Sequence, residues 1–215
     1  MKIKYVLFDM DGLMIDSEAP TFKIWQDYFA QHGHIMPREE YVTYIGQTVA
    51  RISRKLREKY PGESYVDGVH DYWIEKMTEL LDNDALEAKK GLVELLDFLD
   101  EKGIKKAVTT SNTELWTKRS LECIGVFERM DKCIYSDMVK HGKPAPDIFL
   151  AGAAAFGAKP EECLVLEDSI AGIKAAHAAN IPVICVPDMI VPPTEILDLC
   201  THCCDSLLDV MQFID

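Results

Sequence analysis

Apolar residues along this chain follow two patterns that alternate. Short continuous apolar runs, typical of buried parallel strands, alternate with stretches in which apolar residues recur at helical spacing. This alternation predicts an α/β fold with a doubly wound, parallel-sheet, Rossmann-like core. The predicted strands are a first strand that includes Lys2 and Lys4 and ends in the apolar run at residues 5–8, and residues 104–110, 133–135, 163–167 and 181–186. The predicted core helices are residues 92–102, 115–124, 147–156, 173–179 (ended by Asn180) and 207–213.

The alternation stops after Gly12, and the next part of the chain shows helical patterns without a convincing strand. This predicts an inserted all-α cap domain, residues 17–86, in a core made of residues 1–16 and 87–215. The two crossings between these domains, near residues 16–19 and 86–91, are predicted hinges. The predicted cap helices are residues 19–31, 37–44, 48–60 and 67–82, the last with a core-type stripe of Val69, Tyr72, Trp73, Met77, Leu80 and Leu81.

The first predicted strand ends in two carboxylates, Asp9 and Asp11, which are followed by Gly12. Open parallel sheets bind ligands at the carboxyl ends of their strands, and Gly12 lets the chain turn sharply away. We interpret Asp9 as a nucleophile and metal ligand, and Asp11 as a general acid and base. The alternatives are a solvated turn or an EF-hand calcium loop, but the calcium loop requires Asp or Asn and then Gly where this chain has Leu13 and Met14.

The second predicted strand ends at Thr110, which Ser111 and Asn112 follow. Ser111 and Glu114 have capping-box spacing, so this segment predicts a hydroxyl and free backbone N–H groups at a helix N-terminus. Such a terminus binds anions, phosphate included. The alternative is that these hydroxyls only cap the helix.

Two further segments add charge to the predicted site. Lys143 lies in a loop that Pro144 and Pro146 stiffen, with Pro146 expected in the first turn of the next helix; the alternative is a solvated lysine. Glu167 and Asp168 end another apolar strand. Together with the acid at position 9, they form a set of hard oxygen ligands that predicts a Mg²⁺ site.

Composition limits the classes of binding partner and the cellular compartment that we expect for this protein. A formal net charge of −13 disfavours nucleic acids and anionic membrane surfaces. No apolar run is long enough to span a bilayer, and Lys2 and Lys4 fall in the first strand rather than in a signal peptide. Seven scattered cysteines predict reduced, buried thiols and a cytoplasmic protein. The cysteine- and histidine-containing run at residues 200–204 suggests zinc, but it has no second cysteine pair at finger spacing.

These motifs resemble the four signatures of the haloacid dehalogenase-like superfamily of phosphotransferases and occur in the same order. The resemblance covers essentially the whole chain. The four motifs are Asp9-Met10-Asp11-Gly12, Thr110, Lys143-Pro144 and Glu167-Asp168. The segments at residues 16–18, 143–149 and 167–172 resemble the subgroup with a helical cap, which includes β-phosphoglucomutase-like sugar phosphatases.

The resemblance implies a mechanism and a metal. Asp9 would attack phosphorus to form an aspartyl phosphate, while Asp11 would protonate the leaving alcohol and then activate water. Mg²⁺ would be held by the Asp9 carboxylate, the Asp11 main-chain carbonyl and Asp168, with Glu167 holding a water of the metal. Lys143 and the Thr110 region would stabilise the phosphoryl oxygens.

The resemblance therefore implies a Mg²⁺-dependent phosphatase that acts on a small phosphomonoester, either a sugar phosphate or a similar metabolite. Gly46, Gln47 and Arg51, on the predicted substrate loop of the cap, are candidate substrate contacts. The alternative is a phosphomutase of the β-phosphoglucomutase type. Those enzymes carry a histidine and an arginine where this chain has Thr21 and Val49, which disfavours the mutase.

Two other functions are disfavoured by the same residues. A dehalogenase needs no acid for its halide, so Asp11 argues for an oxygen leaving group. A phosphate-binding regulator without turnover would not need Asp9, Asp11, Lys143 and Asp168 together, and all four are present. No exposed self-complementary face is marked in the sequence, so we expect a monomer whose partner is a small phosphorylated metabolite, and neither nucleic acid nor membrane.

Overall fold

The computed structural model describes residues 3–47 and 49–214. The chain forms two compact units, one made of Met1–Asp16 with Leu86–Asp215 and the other of Ser17–Ala85. We call them the sheet unit and the helical unit. Lys2 and Thr48, which the sequence placed in the first strand and at the start of the third cap helix, lie outside the described residues.

The sheet unit contains one parallel sheet, and the doubly wound α/β prediction is confirmed. Within the described residues six strands lie in the order β3-β2-β1-β4-β5-β6, and all neighbours are parallel. The strand order reverses at β1, where sheets of this kind form their ligand crevice. The strands are β1 Tyr5–Phe8, β2 Lys105–Thr109, β3 Lys132–Ile134, β4 Cys163–Glu167, β5 Val183–Cys185 and β6 His202–Cys203.

Two details of the sheet differ from prediction. The sequence missed β6 because its two residues are exposed and lie in the cysteine-rich run, where no apolar run marks a strand. Lys4 precedes β1 instead of lying in it, and its ammonium binds the Glu162 carboxylate at 2.6 Å. The first difference concerns the strand at the edge of the sheet and the second concerns the first residues of a central strand; in both places hydrogen-bonded pairing, and not an apolar run, defines the strand.

Aromatic and aliphatic residues at helical spacing are buried between the helices of the helical unit. On the first helix Trp25 and Phe29 are buried, and on the fourth Val69, Met77 and Leu81 are. A 3₁₀ turn over Ser64–Gly68 replaces the predicted start of the fourth helix, and the second ends earlier than predicted. The helices are α1 Glu18–Gln31, α2 Arg38–Tyr41, α3 Val49–Lys59 and α4 Val69–Asp82.

Helices of the sheet unit cover the sheet. Leu7, Val165 and Val183 of the strands pack in one buried cluster with Phe149 and Ile173 of the helices. The prediction missed the short α9 and placed the start of α8 too late, while Asn180 takes the expected left-handed conformation with φ +55°. The helices are α5 Leu92–Lys102, α6 Glu114–Cys123, α7 Asp147–Ala155, α8 Ile170–Ala178, α9 Thr194–Leu197 and α10 Leu207–Val210, which a 3₁₀ turn over Met211–Phe213 extends.

The chain leaves and re-enters the sheet unit through one short ribbon. The Asp16 N–H donates to the Glu87 carbonyl at 2.9 Å, and Ile15 pairs antiparallel with Ala88. The Lys89 N–H then donates to the carbonyl of Met14, also at 2.9 Å. Residues 16 and 87 are therefore neighbours in space.

The seven cysteines are all free thiols. Cys163, Cys185 and Cys204 are buried as predicted, but Cys203 is exposed because it lies on the edge strand β6. Among the helices of the described residues, none combines the length and the apolarity that crossing a membrane requires.

Candidate active site

The carboxyl ends of β1, β2 and β4 meet at one edge of the sheet. The register pairs Phe8 with Val108 on one side and with Leu166 on the other, so Asp9 and Glu167 leave the sheet side by side. The Asp9 N–H donates to the Leu166 carbonyl at 3.0 Å and continues the ladder by one step. Strand pairing thus brings together acids that are far apart in the sequence.

Three acids at this edge form a potential cation site. Carboxylate oxygens of Asp9, Glu167 and Asp168 lie within 4.8 Å of one another. Asp9 and Glu167 are buried, and Asp168 is half-buried. Hard carboxylate oxygens at this spacing are the ligands that Mg²⁺ prefers, so the residues fit the ion. Over residues 3–47 and 49–214 no cysteine belongs to such a group, which leaves the suggested zinc site without support.

Lys143 lies among these acids. Its ammonium donates to Asp9 and, at 2.7 Å, to Oε1 of Glu167, and it lies 4.9 Å from the ring centre of Phe149. Only 7% of the side chain is exposed, so the alternative of a solvated lysine is wrong. Burial alone would lower the pKa of Lys143, but the charges of Asp9 and Glu167 raise it, and the side chain remains an ammonium.

The site is short of positive charge. Burial raises the pKa of Asp9 to about 7, because Lys143 offsets the desolvation only in part and the charge of Glu167 adds to it. Burial, followed by the charges of Glu167 and Asp9, also raises the pKa of Asp168. Three carboxylates therefore face one ammonium, and a bound divalent cation would relieve their mutual repulsion.

Glu167 is held from both sides. Its Oε1 accepts from Lys143, and its Oε2 accepts from the N–H and hydroxyl of Ser169 at 2.7 and 2.9 Å. A Cβ at Gly172, in the first turn of α8, would overlap the Glu167 carboxylate. With both oxygens engaged, Glu167 positions Lys143, while the implied role of holding a water of the metal stays a prediction.

Gly12 makes the turn that follows the two aspartates. Its φ is +75°, and its N–H donates to the Ile15 carbonyl at 3.0 Å. A Cβ at this position would lie 2.5 Å from Oδ2 of Asp168. Glycine is therefore required twice, once for the left-handed backbone and once to leave room for the carboxylate.

We expect Gly12→Ala to weaken Mg²⁺ binding and to destabilise the fold by about 1–3 kcal/mol through backbone strain. Isothermal titration with Mg²⁺ and thermal unfolding in EDTA measure the two effects separately. Gly103→Ala is the matched control, because Gly103 has φ +67° and open space where the Cβ would be. It should show the strain without the loss of Mg²⁺ affinity; equal affinities in both variants would contradict the crowding of Asp168.

The segment after β2 contacts the second aspartate. The Asn112 amide donates to Oδ2 of Asp11, and the Asn112 N–H donates to Oγ1 of the buried Thr110 at 3.1 Å. Ser111 is exposed. The predicted capping box is wrong, because Ser111 and Asn112 form a bend before the helix. Helix α6 begins at Glu114, and its N-cap residue Thr113 makes no side-chain capping bond. Asn112 is thus placed to orient Asp11, and the phosphate contacts of this segment stay predictions.

The three predicted substrate contacts of the cap belong to the helical unit. Gly46 has φ +70°, the Gln47 amide donates to the Thr43 carbonyl, and Arg51 is exposed on α3. Their contact with a substrate stays a prediction.

The sequence analysis did not single out Lys89 or Asp188, and it included Ser169 in a motif without assigning it a role. Lys89 and Asp188 form an ion pair at 2.6 Å, and Oδ2 of Asp188 lies on the same side of Gly12 as Asp168. A signal existed for Asp188, because it is the first acid after the apolar strand β5, three residues beyond its end. None existed for Lys89, whose partner is 99 residues away.

Comparison with known proteins gives consistent results. Residues 6–186 match the family model described as haloacid dehalogenase-like hydrolase. Hexitol phosphatase A of Escherichia coli (strain K12) is 32% identical over 186 residues, which cover 86% of this chain and 84% of the relative. The phosphorylated carbohydrates phosphatase of Thermotoga maritima is 28% identical over 180 residues, with coverage of 82% and 81%.

A solved structure supports the same relationship. CbbY from Rhodobacter sphaeroides, crystallised in complex with phosphate, superposes with a TM-score of 0.78 at 26% identity. The match covers 97% of this chain and 96% of that one, so both units are included.

Proposed function

The chain belongs to the haloacid dehalogenase-like hydrolases and is a phosphatase of that family, and we propose that it hydrolyses a small phosphomonoester, such as a sugar phosphate, with Mg²⁺ and through an aspartyl phosphate. The observation that carries the proposal is that Lys143 binds Asp9 and Glu167 at the strand edge where Asp168 also lies. Relatives named as phosphatases of hexitols and phosphorylated carbohydrates support the substrate class.

In the proposed reaction Asp9 supplies the nucleophile. One carboxylate oxygen forms a bond to phosphorus while the bond from phosphorus to the ester oxygen breaks, and Asp11 gives its proton to the departing alcohol. Asp11 then takes a proton from water, whose oxygen attacks the same phosphorus and releases phosphate and the Asp9 carboxylate. The bond between Asn112 and Asp11 supports this role, since it fixes the direction of the Asp11 side chain.

Positive charge is needed because an anionic carboxylate attacks an anionic phosphate. Lys143 is buried, charged and adjacent to Asp9, so it is suited to bind a phosphoryl oxygen without reorganisation. Asp9, Asp168 and the main-chain carbonyl of Asp11 are the proposed Mg²⁺ ligands. When bound, the ion supplies Lewis-acid charge to the phosphoryl group.

A panel of phosphorylated metabolites tests the function. We expect phosphate release from sugar and sugar-alcohol phosphates in MgCl₂, loss of release in EDTA, and recovery when Mg²⁺ is restored. Comparison of kcat/KM over the panel, with nucleoside monophosphates included, ranks the substrates. Circular dichroism in EDTA serves as the control for folding. Release from no ester, or equal release in EDTA, would overturn the proposal.

This chain lacks the histidine that the mutases carry, and Thr21 stands at that position. At that position the Thr21 hydroxyl donates to the Ser17 carbonyl at 2.7 Å and accepts from the Trp73 indole at 3.0 Å, so it serves the packing of the helical unit. We therefore propose water as the acceptor. Formation of glucose 6-phosphate from β-glucose 1-phosphate with a bisphosphate primer would show a mutase instead.

A further inference from the structure

Asp188 and Lys89 form an ion pair at the edge of the acidic site. Lys89 Nζ lies 2.6 Å from Oδ1 of Asp188, and the side chains are 25% and 10% exposed. Lys89 is fixed by its backbone, whose N–H donates to the Met14 carbonyl in the ribbon at the chain crossings. Asp188 follows β5 at the carboxyl edge of the sheet. The pair thus ties two loops of the sheet unit together beside the acids.

The second oxygen of Asp188 is unused by the protein. Oδ2 is buried and has no hydrogen-bond partner in the part of the chain that the structure describes. It lies 3.3 Å from the position that a Cβ on Gly12 would take, and Oδ2 of Asp168 lies 2.5 Å from that same position. Both oxygens therefore face the small space that Gly12 leaves open. A buried carboxylate oxygen without a donor is unfavourable, so a donor is expected in that space.

Within the described residues the protein supplies no donor to Oδ2 of Asp188. The side chain that shares this space is Asp168, which as a carboxylate only accepts hydrogen bonds. Two carboxylates on the same side of Gly12 repel each other unless positive charge lies between them. An arrangement of two acids around a shared gap is stable when a cation and its water fill the gap, because Mg²⁺ in proteins usually keeps several waters.

We propose that Asp188 is an outer-shell carboxylate of the divalent-cation site, which accepts through Oδ2 a hydrogen bond from a water of the cation held by Asp168, while Lys89 fixes it through Oδ1. This inference rests on the cation site of the proposed function and adds a positioning residue to it. Asp188 touches neither substrate nor the reacting atoms. Partners of this kind orient the ligands of a metal and tune its affinity.

Mg²⁺ affinity of the full-length protein tests the inference without any turnover. We expect Asp188→Asn to raise the Kd for Mg²⁺ in isothermal titration by roughly tenfold or more, the range found when outer-shell partners are removed. The weaker binding should also reduce the rise in Tm that Mg²⁺ induces. In EDTA the Tm should fall only by the contribution of the lost Lys89–Asp188 ion pair. Asp188→Ser, which is smaller and leaves space for a water, serves if the Asn variant does not fold.

Asp131→Asn is the matched control. Asp131 is also a paired carboxylate of the sheet unit, with Lys105 at 2.8 Å, but it precedes β3 at the opposite edge of the sheet. It should lower the Tm in EDTA and leave the Kd for Mg²⁺ unchanged. A wild-type Kd in Asp188→Asn, next to a lowered Tm, would reduce the pair to a structural tie and overturn the inference alone. A wild-type protein that binds no Mg²⁺ would overturn the cation site and this inference with it.

Discussion

Asp9→Asn is expected to abolish turnover of every phosphomonoester, with kcat reduced about a thousandfold or more, as loss of a nucleophile typically does. The reason is that an amide cannot form the phosphoryl ester that the Asp9 carboxylate forms. The fold should survive, because Asn has the same shape and the residue continues the β1 ladder through its N–H and not its side chain. Phosphate release at saturating substrate and Mg²⁺ measures the loss, and thermal unfolding checks the fold.

Asp11→Asn provides the comparison for this variant. It retains the nucleophile but lacks the acid and base, so it should release about one equivalent of nitrophenolate from p-nitrophenyl phosphate and then stall as the phosphoenzyme. Mass spectrometry under these conditions should find added phosphate on Asp9 in Asp11→Asn and none in Asp9→Asn. Mg²⁺-dependent turnover that persists in Asp9→Asn would remove the covalent step from the mechanism.

Lys143→Met is expected to have the second largest effect. It removes the ammonium that is proposed to bind the substrate phosphate and that pairs with Asp9 and Glu167 in the folded protein. We expect kcat to fall about 100-fold or more, as it does when one donor to a developing oxyanion is lost, together with a rise in KM. The unfolding free energy in EDTA should fall by about 3 kcal/mol or more, since Asp9 and Glu167 lose their buried partner.

Mg²⁺ should restore part of that lost stability, because the same acids that lose the ammonium still bind the cation. Lys105→Met is the control: Lys105 pairs with Asp131 at the surface, is 60% exposed, and should change stability little and activity not at all. Denaturant unfolding with and without Mg²⁺, next to steady-state kinetics, separates the two roles. Unchanged kinetics in Lys143→Met would show that the lysine serves only the fold.

The sheet and the meeting of its acids could be predicted from the sequence because both follow from local patterns. Apolar runs such as residues 5–8 and 163–166 identify parallel strands, and the residue type that directly follows each run shows which side chains lie at the carboxyl ends of the strands. Chain order and handedness then leave few ways to arrange these strands. Asp9 and Glu167 are therefore neighbours for a reason that is readable in one sequence.

Other parts of the site depend on contacts between distant residues and carry no local signal. The spacing of Ser111 and Glu114 suggested a capping box, but the Asn112 side chain binds Asp11 and α6 begins at Glu114, with Thr113 and not Ser111 as its N-cap. Nothing in the sequence around Lys89 indicates its ion pair, because its partner Asp188 lies 99 positions away. In both cases a tertiary contact overrides or supplements a pattern that local propensity alone describes.

The ribbon at the chain crossings has a consequence for the modularity of this protein. Since Asp16 and Glu87 are hydrogen-bonded to each other, the whole helical unit begins and ends at a single point of the sheet unit. A segment attached in this way can be lengthened, exchanged with that of a relative or replaced by a tight turn without moving any strand. The strand ends that carry Asp9 and Glu167 can thus be kept while the helical unit is exchanged by grafting.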